Sequence, residues 1–287
     1  MNRTLAPLRG PAVAPRGGGE PALIAVAHGS RDPRSAATMA AAVAEIAAAR
    51  PDLTVRLAFL DLSAPSVDQV VDDLAAQGHT EAIVVPLLLG NAFHARVDLP
   101  ALLADAGRRH PRLQLTQADV LGADPRLIDA LADRIDAATS VPPRADRIPA
   151  HSFGITGCLP GGFGPAEGHA GSLGVAVAAV GSRDAAANRR TAAVARRLAT
   201  RTGLRAEMCF ATVEPGISGA IDRLRARGAE RIVVAPWFLA PGLLTDRLVA
   251  AAPDVVHAGV IGAHSALTDV VWARYDSSIA AELELTA

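Results

Sequence analysis

The stretch Ile24-Ala25-Val26-Ala27-His28-Gly29-Ser30-Arg31-Asp32 returns later in the chain as Ala176-Val177-Ala178-Ala179-Val180-Gly181-Ser182-Arg183-Asp184. Each is a short apolar run that stops at a glycine turn carrying polar side chains, as a buried strand does where it enters a loop. The repeat extends outward in the same order. Gln77 to Pro86 resembles Arg227 to Pro236, Leu121-Gly122-Ala123-Asp124 matches Ile261-Gly262-Ala263-His264, and Phe59 and Pro65 find counterparts near Cys209 and Pro215. Ordered agreement of this kind reads as two copies of one βα unit set, each about 115 residues and of ordinary domain size.

Within the first copy, short apolar runs at Leu23 to Ala27, Val55 to Leu60, Ile83 to Leu89 and Leu113 to Val120 alternate with helical patterns. The helical patterns are Ala36 to Ala49, Val67 to Ala76, Arg96 to Arg109 and Pro125 to Ala138. Strands alternating with helices predict an α/β fold, here two similar three-layer αβα domains with parallel sheets. Pro86 weighs against a central place for its strand. The expected organisation is a flexible tail at 1–20, a first domain at 21–139, a Pro- and Gly-rich linker at 140–173 and a second domain at 174–285.

Composition narrows the chemistry. The 287 residues hold 28 basic and 29 acidic side chains, and every basic one is arginine. Lysine Schiff bases and the P-loop lysine are therefore excluded. Near-neutral charge argues against a nucleic-acid partner. No apolar run approaches the roughly 18 residues of a membrane span. The tail lacks the hydrophobic segment of a secretory signal, so a cytoplasmic location is expected. Two cysteines make no disulfide framework. Cys158 is expected to be accessible, and Cys209 to be a small buried hydrophobe.

The candidate chemistry lies at the strand ends of the first copy. His28 follows the first strand, Asp61 ends the second, and His94 follows the third. In a parallel sheet these ends open on one crevice. Two imidazoles and a carboxylate suit a borderline divalent metal and proton abstraction near neutral pH. In the second copy Val180 stands at the place of His28 and Leu244 at that of His94, so the first copy carries the chemistry. Arg31, Arg34 and Arg96 flank the histidines, and their guanidinium forks fit carboxylates. His79, His110, His151, His169, His257 and His264 read as capping, linker or cleft-lining residues.

Three motifs carry a family resemblance: His28-Gly29-Ser30-Arg31, Phe59-Leu60-Asp61-Leu62-Ser63-Ala64-Pro65-Ser66, and Val85 to Pro100 with Gly90-Asn91-Ala92-Phe93-His94 at its centre. They resemble the sirohydrochlorin chelatases of the CbiX/SirB type, well over 22–138 and more weakly over 174–282. The resemblance implies a two-domain class II chelatase with a degenerate C-terminal half and an active cleft between the domains. It implies ATP-independent insertion of Co2+ or Fe2+ into sirohydrochlorin, with the metal as substrate and no organic cofactor, in cobalamin or sirohaem biosynthesis. The family's two histidines fall on His28 and His94, which would hold the metal and accept pyrrole protons. The usual glutamate is Asp61 here, one methylene shorter, in reach of the metal directly or through water. Arg31, Arg96 and the Ser30 backbone donor would meet the peripheral carboxylates of the tetrapyrrole, and Leu244 the ring. The fused halves predict a monomer with an internal pseudo-dimer and no membrane partner. A non-catalytic metal or tetrapyrrole carrier is the alternative, and a two-lobed solute-binding protein a third reading.

Overall fold

The structure is a computed structural model describing residues 20–90, 97–140 and 173–286. Apart from their edge residues, the expected tail and linker lie outside the described residues, as do His94, Arg96, Cys158, His151 and His169. The first copy runs β1 (Ala22–Ala27), α1 (Pro33–Ala49), β2 (Val55–Phe59), α2 (Val67–Ala76), β3 (Glu81–Pro86), α3 (Leu99–Arg109), β4 (Gln114–Gln117) and α4 (Pro125–Ser140). The second runs β5 (Leu173–Ala179), α5 (Ala185–Thr202), β6 (Arg205–Phe210), α6 (Ile217–Ala226), β7 (Arg231–Pro236), α7 (Leu243–Ala251), β8 (Val256–His257) and α8 (Ser265–Thr286).

Two four-stranded sheets result, ordered β2-β1-β3-β4 and β6-β5-β7-β8, with every pairing parallel. Strands β1 and β5 are apolar along their whole length because helices cover both faces. Pro86 does not force β3 to an edge. It is the last residue of an interior strand, and Leu87 continues the ladder by donating its N–H to Val26 O at 2.7 Å. Trp237 does the same after Pro236, bonding Ala178 O at 2.8 Å. The counterpart of Phe59, expected near Cys209, is Phe210: each donates its N–H to a proline carbonyl, Pro65 O or Pro215 O, at 2.9 Å.

Local signals set the helix starts. Asp32 caps α1 by accepting the Arg34 N–H, with Pro33 in the first turn. Ser66 and Gln69 form a reciprocal capping box on α2.

The two sheets share one core. Alternate residues of β1 (Leu23, Ala25, Ala27) and of β5 (Val175, Val177, Ala179) enter a single cluster with the inner faces of α1, α4, α5 and α8. The opposite faces of β1 and β5 pack against α2 and α3 in one copy and α6 and α7 in the other. Within the shared layer the closing helices are exchanged. Helix α8 of the second copy packs on β3 of the first, and α4 of the first packs on β7 of the second. Matching bonds secure both. Arg274 of α8 donates to Val120 O and Leu121 O at 3.1 and 3.2 Å, and Arg134 of α4 to Ile261 O at 2.8 Å. Trp272 Nε1 reaches Ile46 O at 3.1 Å and the Tyr275 hydroxyl reaches Pro21 O at 2.5 Å. Among the described residues no helix is long and apolar enough to cross a membrane.

Candidate functional site

In the order β2-β1-β3-β4 the chain leaves β1 to one side and returns on the other, so the direction of winding reverses between β1 and β3. Ligands of open α/β sheets bind at such a switch, beyond the carboxyl ends of the strands. His28 directly follows β1, and the segment holding His94 follows β3 in the chain.

The ends of β1 and β2 are joined tightly. Leu60 donates its N–H to Ala27 O at 2.9 Å and Asp61 to His28 O at 3.0 Å. Gly29 makes that approach possible. Its φ is +95°, and a Cβ there would lie 1.6 Å from the Asp61 carbonyl oxygen. The imidazole of His28 and the carboxylate of Asp61 therefore leave adjacent points of one rigid backbone, and both are exposed. His28 Nδ1 lies 3.3 Å from Gly29 O. One Asp61 carboxylate oxygen accepts the Leu62 N–H at 2.7 Å, which leaves the other directed to no described donor.

Ser63, part of the second motif but with no role assigned from the sequence, ties the two loops together. Its Oγ accepts the Ser30 N–H at 3.1 Å and donates to Ser30 O at 3.0 Å. The Ser30 N–H, expected to meet a substrate carboxylate, is thus already bonded, and Ser30 Oγ accepts the Asp32 N–H at 3.1 Å. Arg31 is exposed and has no ion-pair partner among the described residues. Arg34 is committed elsewhere. Its guanidinium spans Asp32 of its own copy and Asp246 of α7, both at 2.5 Å. These bonds raise the Arg34 pKa, Asp32 contributing most, and the same bond holds the Asp32 carboxyl below its ordinary value.

The second copy touches the first at this point. A Cβ on Gly242 would lie 3.9 Å from both Ser30 Oγ and Asp32 Cβ, so the loop after β7 rests against the loop after β1. Leu244, half-buried, and Leu243, 62% exposed, follow that contact. At the places of His28 and Asp61 the second copy has Val180 and Thr212, joined by the same bond, Thr212 N–H to Val180 O at 3.1 Å. The bond that joins the two strand ends is duplicated, and the side chains of His28 and Asp61 are not.

Four other sequence candidates, Cys209, His257, His110 and His264, make structural contacts. Cys209 is fully buried with its thiol pKa pushed up to about 12 by desolvation. His257 bonds Ala252 O at 2.8 Å, His110 bonds Asp72 at 2.7 Å, and His264 bonds Asp133 at 3.1 Å while accepting the Ala266 N–H. Among the described residues no group of three or more His, Cys, Asp or Glu side chains is placed to hold a metal ion.

A duplicated parallel α/β unit, with His28 and Asp61 at the strand ends of one copy and Val180 and Thr212 at the same places in the other, defines the class of protein. The CbiX family model matches residues 22–138 and 174–278, and the chain belongs to that family. It is 33% identical over 116 residues to the sirohydrochlorin ferrochelatase of Priestia megaterium, covering 40% of this chain and 43% of that one. It is 26% identical over 229 residues to the sirohydrochlorin cobaltochelatase of the same organism, covering 78% of this chain and 65% of that one. The chain thus spans less than two thirds of the length of either relative. Among solved structures, SirB from Bacillus subtilis with Fe3+ matches with a TM-score of 0.69 at 22% identity, over 91% of this chain and 96% of that one.

Proposed function

We propose that the chain is a sirohydrochlorin chelatase that inserts a divalent metal, cobalt or iron, without ATP, using His28 and His94. The observation that carries the reading is the joining of His28 to Asp61 at adjacent strand ends, in the one copy that has these side chains. The family membership supports it, as do the two Priestia megaterium relatives, one named for iron and one for cobalt.

Insertion exchanges two pyrrole N–H protons for one M2+ ion, so two bases must take up protons as the metal sheds water. A neutral imidazole near pH 7 accepts a proton readily and also binds iron and cobalt. Exposure of His28 lets the proton pass on to solvent. The Asp61 carboxylate, fixed beside it, offsets positive charge on the imidazolium or the metal. Arg31 meets a peripheral carboxylate of the macrocycle, and Arg96 is assigned the same part from the sequence. Leu244 contacts the ring. The exchanged helices bury both inner faces within one chain, which supports a monomer that is internally a pseudo-dimer.

The test is a spectral assay with metal-free sirohydrochlorin plus Co2+ and, anaerobically, Fe2+. Catalytic turnover with either metal, lost in His28→Ala and His94→Ala, is the expected result. A stoichiometric absorbance change that stops at one equivalent identifies a carrier instead. Wild-type rates in both variants overturn the assignment.

A further inference from the structure

The loop joining β2 to α2 differs in length between the copies. Six residues, Leu60 to Pro65, lie between Phe59 and Ser66, whereas five, Ala211 to Pro215, lie between Phe210 and Gly216. Both loops close with the same bond, from the phenylalanine N–H to the proline carbonyl at 2.9 Å. The extra residue must therefore be taken up inside the loop. It is taken up at Leu62, whose φ of +60° makes it the one non-glycine residue with positive φ among those described. A γ-branched side chain is a poor choice for the left-handed region, where glycine or asparagine costs far less.

The leucine is not repaid by burial. It is 48% exposed, and its backbone is held by its N–H to Asp61 and by Ser63, which bonds both the N–H and the carbonyl of Ser30. Held strain with an exposed apolar side chain, beside Asp61 and absent from the copy lacking the histidines, is the signature of a group kept for contact. Leu243 of the second copy, also exposed, follows the Gly242 contact on the facing loop.

We infer that Leu62 is a substrate-contacting residue that meets the apolar face of the macrocycle, an inference that rests on the chelatase reading. The contact exists before and after metal enters, so it lowers KM and leaves kcat alone. Two variants separate contact from backbone. Leu62→Asn keeps the left-handed conformation at lower strain and removes the apolar surface. Leu62→Met keeps the surface and the strain.

The experiment measures KM and kcat for sirohydrochlorin with Co2+, and melting temperature, for the full chain and both variants. The expected result for Leu62→Asn is a KM raised at least fivefold, kcat within twofold of wild type, and an equal or higher Tm. Leu62→Met stays within twofold of wild type in both constants. Unchanged KM in Leu62→Asn alongside an active wild type overturns the Leu62 contact and leaves the chelatase reading standing. A wild type that neither binds nor metallates the macrocycle overturns both.

Discussion

The Cα of Gly29 faces the carbonyl oxygen of Asp61 so closely that a methyl group on it would lie 1.6 Å from that oxygen. No rotamer relieves this, because both partners are backbone, and the φ of +95° disfavours any side chain as well. Gly29→Ala should therefore separate β1 from β2 at the site, at a cost of roughly 4 kcal/mol or more. Gly107→Ala, in α3, is the control, since a Cβ there meets nothing within 4 Å and alanine favours helix. Thermal melts should show Gly29→Ala failing to fold or melting far below wild type, and Gly107→Ala melting at or above it.

Asp61 is set by that same junction, which makes its charge testable apart from its position. Asp61→Asn keeps the shape and the acceptor for the Leu62 N–H. Loss of the carboxylate should lower kcat/KM for metal insertion about 10–100-fold, the range for groups that support a metal-handling imidazole. Asp61→Glu, which restores the charge with a longer reach, should recover most of it. Equal activity in Asp61→Asn and wild type would remove Asp61 from the chemistry.

Asp32 and Asp246 both bond Arg34, and they should not be equivalent. Asp32 is 9% exposed and also accepts the Arg34 N–H that starts α1. Asp246 is half exposed, and its carboxylate makes only the ion pair among the described residues. Asp32→Ala, losing a helix cap, should lower Tm by about 2–4 °C, while Asp246→Ala should change it by less than about 1 °C. If the two variants melt alike, the cap contributes nothing beyond the ion pair.

Acid should act through a short set of carboxylates. Asp124 is held below its ordinary value of 3.8, chiefly by the Arg126 side chain and also by the Arg126 N–H and Arg274. Asp32 and Asp72 are lowered by Arg34 and His110 respectively. A carboxyl whose pKa is lower in the folded state stabilises the fold in full above the unfolded value, and that contribution is lost as pH falls through the folded one. Tm should therefore hold above pH 4 and drop steeply below it. Asp124→Asn should melt lower at pH 7 and show a shallower drop below pH 4. Parallel curves for the two proteins would contradict this.

The repeat and the parallel sheets were legible because they are local: a strand's apolar run, the glycine that ends it, and the order of motifs along the chain. Three features were not. Pro86 looked like an edge signal because sequence does not tell whether a proline is the last residue of its strand. Ser30 looked like an open donor because its partner, Ser63, lies in a different loop and is an ordinary serine. Arg34 resembled Arg31 in the sequence, yet it is taken up by Asp246 of the other copy, a contact set by how the halves pack. The length difference around Leu62 was visible in the sequence, but only the backbone angle gave it meaning.

The exchange of closing helices makes the least obvious demand, since each sheet is completed by the other copy's helix. Arg274 and Arg134 hold matching places in α8 and α4, but they are not equally engaged. Arg274 bonds Val120 O and Leu121 O and approaches Asp124 at 3.5 Å. Arg134 bonds Ile261 O alone, and its buried Nε has no partner among the described residues. Leucine keeps the apolar stem of either side chain and removes the charge and the donors. Arg274→Leu strands two carbonyls and part of the Asp124 charge, and should cost about 2–3 kcal/mol. Arg134→Leu strands one carbonyl while relieving a buried orphan donor, and should cost about 1 kcal/mol or less. Urea unfolding at equilibrium checks both. If Arg274→Leu is the milder of the two, α8 is not held to the first sheet in the manner described.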